Sequence, residues 1–163
     1  MPGKNNKAFI LYILMSLVLW QLGVSIRDIC IKSNIQIATS NNPVLSFVYL
    51  ENTGGAFSIF KDHSNLLALF GIAALICIVI YAYKKLKFED KLKILTLVSL
   101  SAGILGNLVE RIEKGYVIDF IKLNFVNFAV FNFFDILITT SIFLLAGLII
   151  YEDIKKRTSK CKD

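Results

Sequence analysis

Residues 66–83 read LLALFGIAALICIVIYAY, eighteen positions without one charged side chain. At about 1.5 Å of rise per residue, a helix of this length covers most of the roughly 30 Å hydrocarbon core of a bilayer. A helix that is apolar on every side is either enclosed by a large protein or surrounded by lipid. The chain has only 163 residues, too few to enclose it, so the run is expected to span a membrane. Lys84, Lys85 and Lys87 follow at once, the basic flank typical of a cytoplasmic boundary.

Three further apolar blocks lie on either side of this one. Residues 8–26 form the first, with Gln21, Gly23 and Ser25 near its far end. Residues 92–109 carry Lys93 at their entrance and Asn107 near their exit, and residues 133–151 carry Asp135 close to their start. The chain is 56% hydrophobic and 18% charged, with mean hydropathy +0.66. Soluble domains have about 25% charged residues, so composition and block length agree. The expected fold is an all-α membrane protein in which residues 1–163 form one integral domain of four spans. Its longer connections are residues 27–65 and 112–132.

Twelve of the 18 Lys and Arg residues fall at the N-terminus, in the connection after residue 83, and in the tail. The other six, Arg27, Lys32, Lys61, Arg111, Lys114 and Lys122, are spread through the long connections and their borders. The positive-inside rule then puts both termini in the cytoplasm and the two long connections outside. The first block lacks a small-x-small cleavage site behind it and is read as a span, not a removed leader. The net charge of +6 sits at the span ends, so it points to anionic headgroups and not to nucleic acid. Cys30, Cys77 and Cys161 fall outside, within a span and in the tail, without metal-ligand spacing.

In the first outer connection, Pro43–Leu50 is rich in strand-favouring Val, Phe and Tyr, and Asn52-Thr53-Gly54-Gly55 reads as a turn. A small β-rich platform against the membrane surface is expected here, between spans one and two. Phe57, Ile59 and Phe60 are available to dip into lipid.

Polar groups at a membrane edge are costly and need a reason. Gly103, Asn107 and Arg111 recur every four residues along one face of the third span, with Ser99 on the same stripe and Ala102 and Gly106 beside it. The small residues admit a neighbouring helix or a bound peptide at close range. Arg111 either snorkels to headgroups or serves a polar partner, and Asn107 either bonds a helix or lines a site. Asp119 sits in Val117-Ile118-Asp119-Phe120, and Asp135 ends Phe131-Asn132-Phe133-Phe134-Asp135. Asp135 near a helix start is open to a capping role. Two acids at one interface suit a second role. Brought together out of water they cannot both ionise cheaply, and they tend to share one proton around a bound water. His63, the one histidine, has no nucleophile near it in sequence.

These motifs resemble those of the lipoprotein signal peptidase (signal peptidase II) family. Its Asn-x-Gly-x-Ala-Phe is similar to residues 52–57, its Gly-x-x-Gly-Asn-x-x-Asp-Arg to 103–111, its Val-x-Asp-Phe to 117–120 and its Phe-Asn-x-Ala-Asp to 131–135. The resemblance implies an aspartic endopeptidase with Asp119 and Asp135 as its catalytic pair. Asn52, Gly54, Ala56, Gly103, Asn107, Arg111 and Asn132 would hold the substrate. It further implies a multi-pass protein of the bacterial inner membrane with its site at the outer face. The substrates would be prolipoproteins cut just before a diacylglyceryl-modified cysteine. Neither metal nor organic cofactor is implied, globomycin-type inhibitors would occupy the site, and the protein would act among membrane lipids as a monomer.

Three departures stand out. Where the family has Asp-Gln-x-x-Lys, residues 20–24 read Trp20-Gln21-Leu22-Gly23-Val24, so that Asp and Lys are both gone. Glu110 replaces an Asp with its charge kept. Phe134 replaces a small Ala beside Asp135, expected either to narrow the pocket or to turn towards lipid. They motivate one alternative, a non-catalytic relative that binds signal peptides. Buried acids alone motivate another, a small proton-coupled transporter subunit, which both acids lying at one face disfavours.

Overall fold

The computed structural model describes residues 3–32, 43–55 and 60–160. Ala56, Phe57 and Ile59 therefore lie outside the described residues, as does Cys161. Along the chain run α1 (Gly3–Lys32), β1 (Leu45–Asn52), α2 (Ser64–Lys85), α3 (Lys91–Lys114), β2 (Val117–Leu123) and α4 (Phe133–Lys160). All four helices are long and apolar enough to cross a membrane, and each extends beyond the apolar block that announced it.

What the helices expose is as informative as what they bury. Ile10, Leu14, Val18 and Leu22 form an exposed stripe along α1, and Leu69, Ile72, Ile76 and Ile80 another along α2. In water so much contiguous apolar surface would drive association. In hydrocarbon it is solvated, so hydrophobicity gives no reason for helices to pair there, and close packing and polar contacts must do it.

α3 is the hub of that packing. It contacts α1, α2 and α4, and 61% of its most apolar stretch is buried in the protein, against 11–17% for the other helices. At the end away from the sheet, Ala8 and Tyr12 of α1 meet Ala82 and Leu86 at the end of α2 and Ile94, Leu97 and Val98 of α3. The Tyr12 hydroxyl bonds the Ser101 hydroxyl at 2.7 Å, a buried polar link between α1 and α3.

The small-residue stripe of α3 accommodates a helix. A Cβ at Gly103 would lie 2.8 Å from the Phe134 carbonyl oxygen, and one at Gly106 would lie 2.4 Å from the Phe134 ring. α4 therefore seats directly on these glycines. The Phe134 ring neither turns to lipid nor hangs in an open pocket. It is 2% exposed and sits between Gly106 and Gly23 of α1, where an added Cβ would again come within 2.4 Å.

The sheet has two antiparallel strands, with Leu45 opposite Leu123, Leu50 opposite Asp119 and Asn52 opposite Val117, and an irregularity between Phe47 and Leu50. β1 lies between the first two spans as expected. Its partner comes from the other outer connection, which the sequence reading left without a strand. The reason is burial. Val117 to Phe120 are all buried, so the alternation that betrays a half-exposed strand is missing. Phe131 adds an isolated bridge to Ile121 on the far side of β2.

Candidate active site

α3 ends on Gly115, whose φ of +83° is the left-handed conformation that glycine adopts without steric cost. Its N–H bonds the Arg111 carbonyl at 3.1 Å, and the chain turns back into β2, which carries Asp119. Across the sheet, β1 ends on Asn52. The Asn52 side chain makes two contacts: Nδ2 donates to Asp119 Oδ2 at 2.8 Å, and Oδ1 accepts the Gly54 N–H at 2.9 Å. The second contact shapes the turn and the first reaches the acid.

Asp135 arrives from α4. Asn132 stands just before the helix, and its Oδ1 accepts the Asp135 N–H at 3.0 Å. Asp135 Oδ2 in return accepts the Asn132 N–H at 3.0 Å. This reciprocal pair is a capping box built from Asn and Asp. Asn132 thus takes the N-cap position and Asp135 shares in the cap through Oδ2, while Asp135 Oδ1 accepts from Asn107 Nδ2 at 2.8 Å.

Asn132 also joins the two acids. Its Nδ2 donates to Asp119 Oδ1 at 2.8 Å and to Asn107 Oδ1 at 3.1 Å. One residue therefore grips Asp119 by its side chain and Asp135 by its backbone. Asp119 and Asn132 are each 1% exposed, whereas Asp135 is only half-buried. Among the described residues each carboxylate accepts two hydrogen bonds, fewer than its two oxygens can take. Burial, and next the charge of Asp135, push the Asp119 carboxyl up to about 6. The Asn52 and Asn132 donors and the charge of Arg111 act in the opposite direction.

Arg111 turns inward. Its Nη2 donates to the Gly54 carbonyl at 3.1 Å and its Nη1 to the Asn107 carbonyl at 3.4 Å, tying the outer turn to α3. Its Nε is buried without a partner among the described residues. A cleft of about 230 Å³ opens between α2 and α3, walled by Leu67, Phe70, Gly71, Ile104 and Leu108, with Asn107 and Arg111 at its polar end.

The structure thus gathers Asn52, Gly54, Asn107, Arg111 and Asn132 around Asp119 and Asp135. It gives the three asparagines to the acids themselves. Gly103 lies apart, buried against α4. The sequence reading missed the role of Glu110. Its carboxylate is 2% exposed and accepts the Ile118 N–H at 2.8 Å, one residue before Asp119, and it pairs with Arg27 and Lys114. The i, i+4 spacing of Glu110 and Lys114 was a visible signal. Among the described residues no group of three or more His, Cys, Asp and Glu side chains is placed to hold a metal.

Residues 10–151 match the family described as signal peptidase (SPase) II. The chain belongs to the signal peptidase II family. The lipoprotein signal peptidase of Lactobacillus gasseri is 33% identical over 145 residues, 87% of this chain and 93% of that one. That of Streptococcus pneumoniae is 36% identical over 111 residues, 68% of this chain and 71% of that one. A solved bacterial membrane enzyme superposes with a TM-score of 0.76 over 90% of this chain and 91% of its own, at 23% identity, which speaks to the fold. Family membership makes the chain a protease, and its four apolar helices make it a multi-pass bacterial membrane protein.

Proposed function

We propose that Asp119 and Asp135 are the catalytic pair of an aspartic endopeptidase that removes signal peptides from prolipoproteins, cutting just before a diacylglyceryl-modified cysteine. The observation that carries this reading is Asn132, which bonds to both acids at once. A water between the carboxyls would lose a proton to the ionised member while the protonated member donates to the scissile carbonyl oxygen. The tetrahedral diol then collapses. The C–N bond breaks, the amine nitrogen takes a proton from the pair, and the new carboxyl end leaves with the signal peptide.

The raised Asp119 supports such sharing, since an acid with a pKa of about 6 exchanges its proton readily near neutrality. The signal peptide is itself an apolar helix and can approach through lipid. The cleft between α2 and α3 is apolar along its walls and polar where it meets Asn107, which suits the segment around the scissile bond. Positive charge at both termini and after α2 supports cytoplasmic termini and an outward-facing site. Globomycin-type inhibitors would compete for the same place, and the protein would act as a monomer among membrane lipids.

Asp119→Asn and Asp135→Asn test the mechanism on purified protein in lipid with a lipidated prolipoprotein. Each should lower turnover by about 10³-fold or more while the helical signal and unfolding temperature persist. A folded Asn variant that retained turnover within tenfold of wild type would sink the aspartic mechanism. Wild-type protein that binds the prolipoprotein without cutting it would favour the binding-only alternative.

A further inference from the structure

Behind β2, on the side away from β1, lies a charge cluster that the proposed chemistry does not use. Glu110 receives three donors: the Arg27 guanidinium, Lys114 Nζ at 3.3 Å and the Ile118 N–H at 2.8 Å. Arg27 also donates to Asp28, with Nε at 2.9 Å and Nη2 at 2.7 Å from Oδ1. One buried carboxylate thereby connects α1, α3 and the start of β2.

The contact with Ile118 falls on an edge of the strand. Further along, the Phe120 and Ile121 N–H groups both bond the Phe131 carbonyl, at 3.0 and 2.8 Å. Glu110 thus stands in for a third strand at one end of β2 as Phe131 does at the other. Asp119 lies between these two anchors. Its carboxyl meets Asn52 and Asn132 at 2.8 Å each, and a strand that slid or tilted would break both contacts.

We propose that Glu110, clamped by Arg27 and Lys114, is a positioning residue that sets the height and tilt of Asp119 relative to Asp135. The proposal rests on the reading of these acids as the catalytic pair. The clamp acts through the backbone of β2, and the Glu110 charge is also felt at Asp135 and Arg111. Misplacement of a reacting group by about 1 Å can cost about a hundredfold in rate. Loss of the clamp should accordingly appear in kcat and leave KM nearly unchanged.

The experiment compares wild type with Glu110→Gln, Arg27→Gln and Arg27→Lys in the same lipid. It measures kcat, KM, the pH dependence of kcat/KM and the unfolding temperature. Expected are a kcat lowered about tenfold or more in both Gln variants, KM within about twofold, and a displaced pH midpoint. Arg27→Lys, which keeps the charge, should recover part of the loss. If Glu110→Gln does not accumulate folded, the two Arg27 variants decide, because Glu110 there retains Lys114 and Ile118. A folded Arg27→Gln protein with kcat within about twofold of wild type and the same pH midpoint overturns the proposal. So does a lowered unfolding temperature with undiminished turnover per folded molecule, which would make the cluster structural only. Failure of the catalytic reading would show separately, as an active Asp119→Asn variant.

Discussion

Asn52→Ala removes one of the two amide donors that hold the Asp119 carboxylate. Such donors favour the ionised form, so their loss lets the pKa climb. A hydrogen bond to a charged group contributes about 1.5–3 kcal/mol, and one pKa unit corresponds to about 1.4 kcal/mol. Burial and the charge of Asp135 already push Asp119 up to about 6. Without Asn52 it should rise further by about one to two units. The assay is kcat/KM on a lipidated prolipoprotein from about pH 4 to about pH 9, which reports the ionisations of the free enzyme. Wild type should show a limb with a midpoint near 6, belonging to the pair and not to one residue alone. The variant should show that limb displaced to higher pH, whichever side of the optimum it lies on. The Gly54 N–H also loses its acceptor, which lowers turnover at every pH without moving the midpoint. A midpoint that stays near 6 or moves to lower pH would refute this account of the Asn52 contact.

Phe134→Ala should destabilise the protein by about 3–5 kcal/mol, read as a lower unfolding temperature in detergent, because the ring fills the space between Gly23 and Gly106. A rise in turnover with unchanged stability would show instead that the ring crowds the site. Gly106→Ala should be costly in wild type and much milder in the Phe134→Ala background, since its new Cβ would meet that ring at 2.4 Å. Stability should also depend on pH through Asp119. The folded chain keeps this proton up to about 6 while the unfolded chain releases it near 3.8, so stability declines as pH rises across that window and then levels off. The decline due to Asp119 is about 3 kcal/mol and should be absent from Asp119→Asn; equal slopes in the two proteins would contradict it.

The four spans were legible because length and lack of charge decide a membrane helix almost alone, as residues 66–83 illustrate. That Asp119 and Asp135 would come together was legible for the converse reason, since an acid among apolar neighbours at a membrane border needs an explanation. β2 was not, because Val117 to Phe120 are buried throughout and show no alternation. Nor were the contacts of the asparagines with the acids, since the resemblance implied only that they hold the substrate. Which way an amide turns is a matter of ångströms, and Asn132 satisfies Asp119, Asn107 and the first turn of α4 together. Gly103 and Gly106 stood out as small, but only the seat of α4 shows that the neighbour they admit is a helix.

The departures in α1 and at Phe134 meet in space. Gly23 leaves room that the Phe134 ring occupies, so the stretch of α1 from which the family's Asp and Lys are missing packs there against an aromatic ring. Charge returns one turn later as Arg27 and Asp28, and there it faces Glu110 at the back of β2 instead of the acids. The positive charge that acts on Asp119 is then Arg111, whose guanidinium is partly committed to the Gly54 and Asn107 carbonyls. A single engaged cation offsets burial and the charge of Asp135 only in part, which is why the Asp119 carboxyl stays near 6 despite two amide donors. By this route a chain without the usual polar support in its first helix still holds the Asp119 carboxyl well above the ordinary carboxylate range.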